Sequence, residues 1–148
     1  MKWIRWLALL AGIVMFAVSF ILPAVSQAGS SSGVPGIVCA TNTLRIPWTK
    51  DGASLLHQNP LQYFSLLLSG WINPLFLVSL LLVLIKPRWI FASLLRYAVT
   101  LMFIACWVVF YQIHLYPRQG YFLWMFGILL ALYSNLFSRA PKSDREMR

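Results

Sequence analysis

The chain has 148 residues, of which 60% are hydrophobic and 10% are charged, and its mean hydropathy is +0.75. Soluble domains are roughly half apolar and about a quarter charged, so this composition excludes an ordinary soluble domain and predicts a single membrane domain, 1–148. The net charge of +9 would favour a nucleic-acid partner in a soluble chain, but most basic residues here flank apolar segments, where they orient membrane proteins and contact lipid headgroups. No nucleic-acid partner is expected.

The first predicted span, residues 4–25, contains an uncharged and mostly apolar run at 6–25 that comes after Lys2 and Arg5. This run matches the about 20 residues that a helix needs to cross a bilayer. Two interpretations compete for it. The Ser-Gln-Ala run at 26–28 resembles the small-x-small cleavage site of a secretory signal peptide. The apolar run is longer than the ~7–15 residues typical of such a peptide, which favours a retained signal-anchor helix. Under both interpretations the residues that follow lie outside the cytoplasm.

Residues 29–62 form the predicted extracytoplasmic loop of about 35 residues, which is the longest polar stretch of the chain. It opens with a Gly/Ser-rich linker composition. The mixture of β-branched and polar residues at 36–48 predicts a short hairpin or an irregular loop. Three local signals follow: a turn at Asp51-Gly52, a short interfacial helix at 53–57 and a helix start at Asn59-Pro60.

Three more apolar segments predict transmembrane helices at 63–85, 90–112 and 120–138. The Lys-Pro-Arg run at 86–88 predicts a tight hairpin turn, because its charges are costly in hydrocarbon and proline ends a helix. With the first segment, the pattern predicts an all-α integral membrane protein, a multi-pass four-helix bundle with a basic cytoplasmic tail at 139–148.

The distribution of basic residues predicts the orientation of these spans. Cytoplasmic loops carry an excess of Lys and Arg, so the richer side should face the cytoplasm. Both termini are then cytoplasmic, and the membrane is predicted to be a bacterial inner (plasma) membrane. Nine basic residues fall inside (Lys2, Arg5, Lys86, Arg88, Arg96, Arg139, Lys142, Arg145 and Arg148), and three fall outside (Arg45, Lys50 and Arg118).

Stripes of small or polar residues at helical spacing predict which faces pack together, since small residues let membrane helices approach closely. In the third span, Cys106 lies opposite the polar stripe and is expected to be a small apolar filler that faces lipid or a loose apolar surface. The predicted stripes are Ala8, Gly12 and Ser19; Ser65, Ser69, Asn73 and Ser79; Ser93, Tyr97, Thr100, Trp107 and Tyr111; and Gly120, Gly127, Ala131, Ser134 and Ser138.

Two residues inside the spans have both a structural and a functional interpretation. Asn73 precedes Pro74, which breaks the helical hydrogen bonding near Gly70; the pair is either a static kink or a gating hinge or ligand contact. Arg96 is a charge within an apolar helix. Its guanidinium is expected to reach back to the headgroups, with the tail acids Asp144 and Glu146 as alternative partners.

The sequence has no phosphate-binding glycine loop, no nucleophile-elbow spacing and no paired carboxylates in a span, so no enzymatic activity is expected. Cys39, His57 and His114 lack metal-ligand spacing, and neither a metal nor a cofactor is predicted.

The favoured function is non-catalytic binding of another membrane or extracytoplasmic protein, as an accessory or assembly subunit or an immunity-type protein. The expected contact residues are Arg45, Trp48 and Lys50 in the outer loop, because Trp and Arg are frequent interface anchors. Membrane lipid is the second expected partner, and a homo-oligomer is left open. The alternative is an oligomeric small-solute transporter or channel that uses Asn73 and Pro74.

Overall fold

The computed structural model describes residues 2–27, 32–85 and 89–138, which are mostly helical. The predicted turn at 86–88 and the basic tail at 139–148 lie outside the described residues. The helices are α1 (Lys2–Ser19), α2 (Gly36–Arg45), α3 (Lys50–Gln58), α4 (Pro60–Ile85), α5 (Ile90–Ile113) and α6 (Gln119–Tyr133), with 3-10 turns at Ile46–Trp48 and Ser134–Ser138. Three strands, β1 (Pro23–Gln27), β2 (Val34–Pro35) and β3 (Leu115–Pro117), form an antiparallel sheet in the order β2-β1-β3.

Two helices, α4 with 26 residues and α5 with 24, are long and apolar enough to cross a membrane. Length and composition by themselves do not distinguish a membrane-spanning helix from the buried core helix of a soluble protein. In α4 and α5, however, only 28% of the most apolar 18-residue stretch is buried within the chain. α1 is apolar as well but shorter, with 18 residues.

The sheet gathers the helix ends at one end of the molecule. β1 follows α1 and pairs with β3, which follows α5 and leads directly into α6. The C-terminal ends of α1 and α5 therefore lie beside the N-terminal end of α6; we call this the sheet end. α2 joins them there, because Gly36 N donates to Leu22 O and Ile37 N donates to Phe20 O, both at 3.0 Å.

α1 and α6 form the most extensive helix pair, and their backbones touch. A Cβ added at Gly12 would lie 2.6 Å from the Ala131 nitrogen, and one at Gly127 would lie 2.7 Å from the Phe16 nitrogen. Only glycine fits at these two positions, because the obstructing atoms belong to the opposing backbone.

α4 and α5 form the second pair, and aromatic rings join it to the first. Phe16 of α1 meets Phe76 of α4 with ring centroids 4.7 Å apart, and Phe103 of α5 meets Trp124 of α6 at 5.3 Å. The core between the pairs is made mainly of large apolar side chains, including Ile72, Phe76, Val99, Phe103, Ile128 and Leu132.

The first helix is shorter than the sequence predicts. It ends at Ser19 rather than near residue 25, and the next residues form β1, the central strand of the sheet. Pro23 has no N–H to continue a helix, and the Ser19 hydroxyl donates to the Phe16 carbonyl in the last turn. The α-helix of the last span is also shorter than predicted, because α6 ends at Tyr133 and a 3-10 turn follows at Ser134–Ser138.

The predicted hairpin or irregular loop at 36–48 is wrong. The chain forms α2 there, and the hydroxyls of Thr41 and Thr43 donate to carbonyls of their own helix at 3.0 to 3.1 Å. Packing of α2 against α4 overrides the weak helix preference of β-branched residues.

Of the three local signals that follow in the loop, one is wrong and two are confirmed. The turn predicted at Asp51-Gly52 is wrong, because both residues lie in the first turn of α3, where the Gly52 N–H donates to the N-cap Thr49 hydroxyl at 3.4 Å. The short helix at 53–57 is confirmed within α3, and the helix start at Pro60 is confirmed by α4.

The predicted buried face of α5 is also wrong. Cys106 is only 6% exposed and belongs to the core, whereas Tyr97, Trp107 and Tyr111 of the predicted interior stripe are exposed. Bulky residues with polar tips suit a membrane–water interface better than a tight helix contact. The face that meets α4 and α6 instead carries Val99, Phe103, Cys106 and Val109.

Candidate functional site

A basic–aromatic surface, defined by Arg45, Trp48 and Lys50, lies where α2 turns into α3. Arg45 is the last residue of α2, Trp48 belongs to the 3-10 turn and Lys50 is the first residue of α3. All three side chains are exposed, and Trp48 is 70% exposed although it is the largest of them. The turn thus exposes one aromatic ring, and the residues on either side of it expose two positive charges.

This surface stands on a well-packed base. Pro47, beside Trp48, is buried, and its carbonyl accepts a hydrogen bond from the Tyr63 hydroxyl of α4 at 3.4 Å. Gly52 of α3 is buried against the backbone of Ile46 and Pro47, with no room for a Cβ. The base therefore holds the turn against α4 and leaves the exposed side chains free to contact a partner.

The second feature is a cavity of about 90 Å³ at the sheet end, between β1, α2 and the neighbouring halves of α4, α5 and α6. Its lining is largely apolar, and among the described residues that line it none carries a formal charge at neutral pH. The residues that give it chemical character are Cys39, Thr43, Ser69, Asn73, Cys106 and Tyr121.

Most of the hydroxyl and amide groups in this cavity already have partners. Thr43 donates to the Cys39 and Ala40 carbonyls of its own helix, and Ser69 donates to the Leu66 carbonyl at 2.9 Å. Asn73 Oδ1 accepts a hydrogen bond from Trp124 Nε1 at 2.8 Å.

Tyr121 differs from these groups. It is 4% exposed, and among the described residues its hydroxyl has no hydrogen-bond partner. Its ring is held by edge contacts to Phe110 at 4.8 Å and Trp107 at 5.9 Å, and by a tilted contact to Trp124 at 5.7 Å. These contacts hold the ring beside the cavity, and the hydroxyl oxygen itself is enclosed by the described residues without pairing with any of them.

The Asn73-Pro74 pair borders this cavity. Pro74 lies inside α4, so it cannot donate to the carbonyl one turn earlier, that of Gly70. Gly70 lies against the backbone of Thr43, where an added Cβ would be 2.6 Å from the Thr43 oxygen. The carbonyl that the proline leaves without its helical donor therefore belongs to a residue at which the backbones of α2 and α4 come into contact.

Arg96 directs its guanidinium back along its own helix. Its Nε donates to the Ala92 carbonyl at 3.2 Å, and one Nη donates to Ser93 Oγ at 2.9 Å. Both acceptors lie towards the N-terminal end of α5, the direction in which the side chain would reach headgroups. The tail acids proposed as alternative partners lie outside the described residues.

In the last span, four residues of the predicted stripe are buried: Gly120, Gly127, Ala131 and Ser134. Gly127 and Ala131 face α1, and Gly120 lies against the carbonyls of Leu22 and Pro23. Ser134 is buried and donates to the Ala131 carbonyl at 2.9 Å.

The structure brings both cysteines to the lining of the same cavity. Cys39 comes from α2 and Cys106 from α5, and no spacing in the sequence signals this meeting. Partial burial raises the pKa of the Cys39 thiol above its ordinary value. Within residues 2–27, 32–85 and 89–138, no three His, Cys, Asp or Glu side chains form a group that would hold a metal ion.

Comparisons of the chain with models of protein families, with curated proteins and with solved structures find no match.

Proposed function

We propose that this protein is an integral membrane protein that acts by binding another membrane or extracytoplasmic protein through the basic–aromatic surface. In this proposal α1, α4, α5 and α6 cross the bilayer, both termini are cytoplasmic, and the sheet end lies outside. The protein is non-catalytic and serves as an accessory or assembly subunit or as an immunity-type protein.

The exposed apolar surface supports membrane insertion. Large apolar side chains are exposed along α1, α4 and α5, among them Ile4, Leu81, Ile90 and Leu101. Water would penalise so much contiguous apolar surface, whereas lipid accepts it. The 18 residues of α1 extend roughly 27 Å at about 1.5 Å per residue, close to the ~30 Å of hydrocarbon in a bilayer.

Charge supports the orientation. Three basic residues are predicted to lie outside: Arg45 and Lys50 flank the turn between α2 and α3, and Arg118 follows β3 at the sheet end. Lys2 and Arg5 begin α1, and Arg96 lies near the start of α5, at the opposite end. An excess of basic residues marks the cytoplasmic side, which in a bacterium is the inner face of the plasma membrane.

The observation that carries the partner-binding proposal is the 70% exposure of Trp48 on a turn whose neighbour Pro47 is buried. A large aromatic side chain held out on an ordered base loses little conformational entropy when it enters a partner's pocket. The exposed guanidinium of Arg45 and ammonium of Lys50 add attraction for an acidic partner surface.

The test combines Arg45→Ala, Trp48→Ala and Lys50→Ala in one variant of the full chain. Because all three side chains are exposed, the variant should insert and unfold like wild type but should lose partner capture when it is cross-linked in native membranes and purified. Trp3→Ala is the matched control, since Trp3 is 81% exposed at the opposite end of the molecule. Undiminished capture by the triple variant would refute the assignment of the surface.

Orientation is tested separately with a reporter that is active only outside the cytoplasm. Fusions after Gln58 and after Arg118 should be active, and fusions after Arg88 and after Arg148 should be inactive. Activity after Arg148 would require an odd number of crossings and would contradict the four-helix topology.

The second candidate function is an oligomeric small-solute transporter or channel, and the cavity beside the Asn73-Pro74 break favours it. In that case Asn73→Leu should abolish solute flux in proteoliposomes, while the triple surface variant should transport normally. Asn73 also accepts the hydrogen bond of Trp124, so flux must be measured on protein whose folded fraction has been matched to wild type.

A further inference from the structure

Three polar side chains of the cavity lining, Thr43, Ser69 and Asn73, lie together where α2 meets α4; we call them the polar corner. Ser69 and Asn73 are four residues apart on α4, so both project from the same face of that helix. Thr43 of α2 lies beside this face, because Gly70, the residue after Ser69, packs against the Thr43 backbone. The rest of the lining is largely apolar, so the corner concentrates hydrogen-bonding groups at one side of the cavity.

Every member of the polar corner keeps capacity for a further hydrogen bond. The Thr43 and Ser69 hydroxyls donate to carbonyls of their own helices, so both hydroxyl oxygens can still accept. The indole N–H of Trp124 can only donate, which fixes Asn73 Oδ1 as its acceptor and turns the Asn73 amide NH2 away from the indole. The corner therefore offers two acceptors and one amide donor.

Water is the molecule that matches these groups. A buried water makes about two to four hydrogen bonds and serves as both donor and acceptor. A cavity needs about 10–15 Å³ of accessible volume to hold one water, and this cavity, at about 90 Å³, has room for a small cluster. Cavities that stay dry are apolar throughout, whereas this one has the polar corner. An ion would lose its hydration without gaining a counter-charge, since none of the described lining residues is charged at neutral pH.

The burial of the lining indicates how water enters. On the α2 side, Cys39 and Thr43 are half-buried, whereas Cys106 of α5 and Tyr121 of α6 are buried. The cavity is therefore nearest to the surface beside α2, at the sheet end. Exchange with bulk water is expected along this side.

We propose that this cavity is a water-binding site, in which a small cluster of ordered water donates to the Thr43 and Ser69 hydroxyl oxygens and accepts from the Asn73 amide. The cluster bridges α2 to α4 next to the proline break, where α4 lacks one of its own backbone hydrogen bonds. This inference goes beyond the proposed function, because the cavity shares no residue with the basic–aromatic surface. It holds for either orientation of the chain and whether or not the protein transports a solute.

The experiment is radiolytic footprinting of the full-length protein in detergent, in water labelled with a heavy oxygen isotope. An X-ray pulse converts water into hydroxyl radicals, which oxidise the aromatic rings that they touch, and the isotope shows that the added oxygen came from water. Mass spectrometry then gives the labelling rate of each ring, which is divided by its rate in the unfolded protein.

Tyr121 should be labelled several-fold faster than Phe103 on this normalised scale. The two rings are matched in burial, with 4% and 6% exposure, but only Tyr121 lines the cavity. Burial alone predicts equally slow labelling of both, whereas water in the cavity generates radicals beside Tyr121. Equal normalised rates would overturn the proposal, and this comparison needs no variant.

The second readout removes the acceptors. Thr43→Val combined with Ser69→Ala should reduce the labelling of Tyr121 several-fold, because the cluster loses both hydroxyl oxygens. Thr41→Val is the matched control, since Thr41 is exposed on the same helix and also donates to carbonyls of that helix, at 3.0 Å. This control should label like wild type. Phe103 reports on folding, and unchanged labelling of Tyr121 in a double variant whose Phe103 stays protected would also overturn the proposal.

Discussion

The Nε1 of Trp124 donates a hydrogen bond to the Oδ1 of Asn73 at 2.8 Å, and this contact joins α6 to α4 beside the proline break. Both residues line the cavity at the sheet end. A polar contact at this position connects the two helix pairs where α4 lacks one of its own backbone hydrogen bonds. It gives Asn73 a structural role in addition to any functional one.

Asn73→Leu should therefore lower the free energy of unfolding by about 1 kcal/mol, because it leaves the half-buried indole N–H without an acceptor. Trp124→Phe should also destabilise the protein, and the double variant should cost less than the sum of the two single changes. Thermal unfolding of the three proteins in one detergent measures this coupling. Additive losses would mean that the two side chains do not interact in the folded protein.

Gly127→Leu should separate α1 from α6, because an added Cβ would already lie 2.7 Å from the backbone nitrogen of Phe16. A backbone atom cannot move aside as a flexible side chain does, so we expect a loss of about 3 kcal/mol or more in stability. Ala17→Leu is the control, since Ala17 is exposed on α1. Size-exclusion chromatography and thermal unfolding report the outcome, and similar behaviour of the two variants would show that the helix faces are misassigned.

The N-terminal segment should be retained in the membrane-bound protein. β1 is the central strand of the sheet, and the Arg118 Nε donates to the Ser26 hydroxyl at 2.8 Å. Cleavage after Ala28 would remove α1 and β1, and with them the principal partner of α6.

Intact-mass analysis of protein from native membranes should therefore include residues 1–28. Ala28→Asp removes the small residue that a signal peptidase needs. This variant should differ in mass from wild type only by the difference between the two side chains. A wild-type protein that begins at Gly29 would contradict the observed fold.

The two cysteines should react as neighbours. The chain contains only Cys39 and Cys106, and both line one cavity. A short bifunctional thiol reagent should therefore bridge them within one chain, which peptide mapping would detect. Cys39→Ser and Cys106→Ser serve as controls that can only be modified singly. Exclusively intermolecular products would place the two thiols apart.

The reaction of Cys39 should also depend on pH in a specific way. Burial raises the pKa of this thiol above its ordinary value of 9.0, so less thiolate is present at any given pH than in a free cysteine. In the Cys106→Ser variant, the alkylation rate should still be rising above pH 9, where the rate of a free thiol begins to level off. Unfolding the protein should remove this difference.

The sequence by itself determined that the apolar segments form helices. In a long uncharged run, a helix pairs the backbone N–H and C=O groups internally and leaves the apolar side chains to lipid or to other helices. It also determined the small residues of the last helix, since Gly127 and Ala131 repeat at helical spacing. The start of α4 at Pro60 followed from a local signal as well.

Only the tertiary structure decided which faces meet and what they enclose. α2 formed against α4 despite its β-branched residues, and Cys106 turned inward while Tyr111 turned outward. β1 became a strand because β3, far along the chain, supplied its hydrogen-bond partners. The cavity and its two thiols arise between elements that are distant in sequence, and such contacts depend on packing that local sequence spacing does not encode.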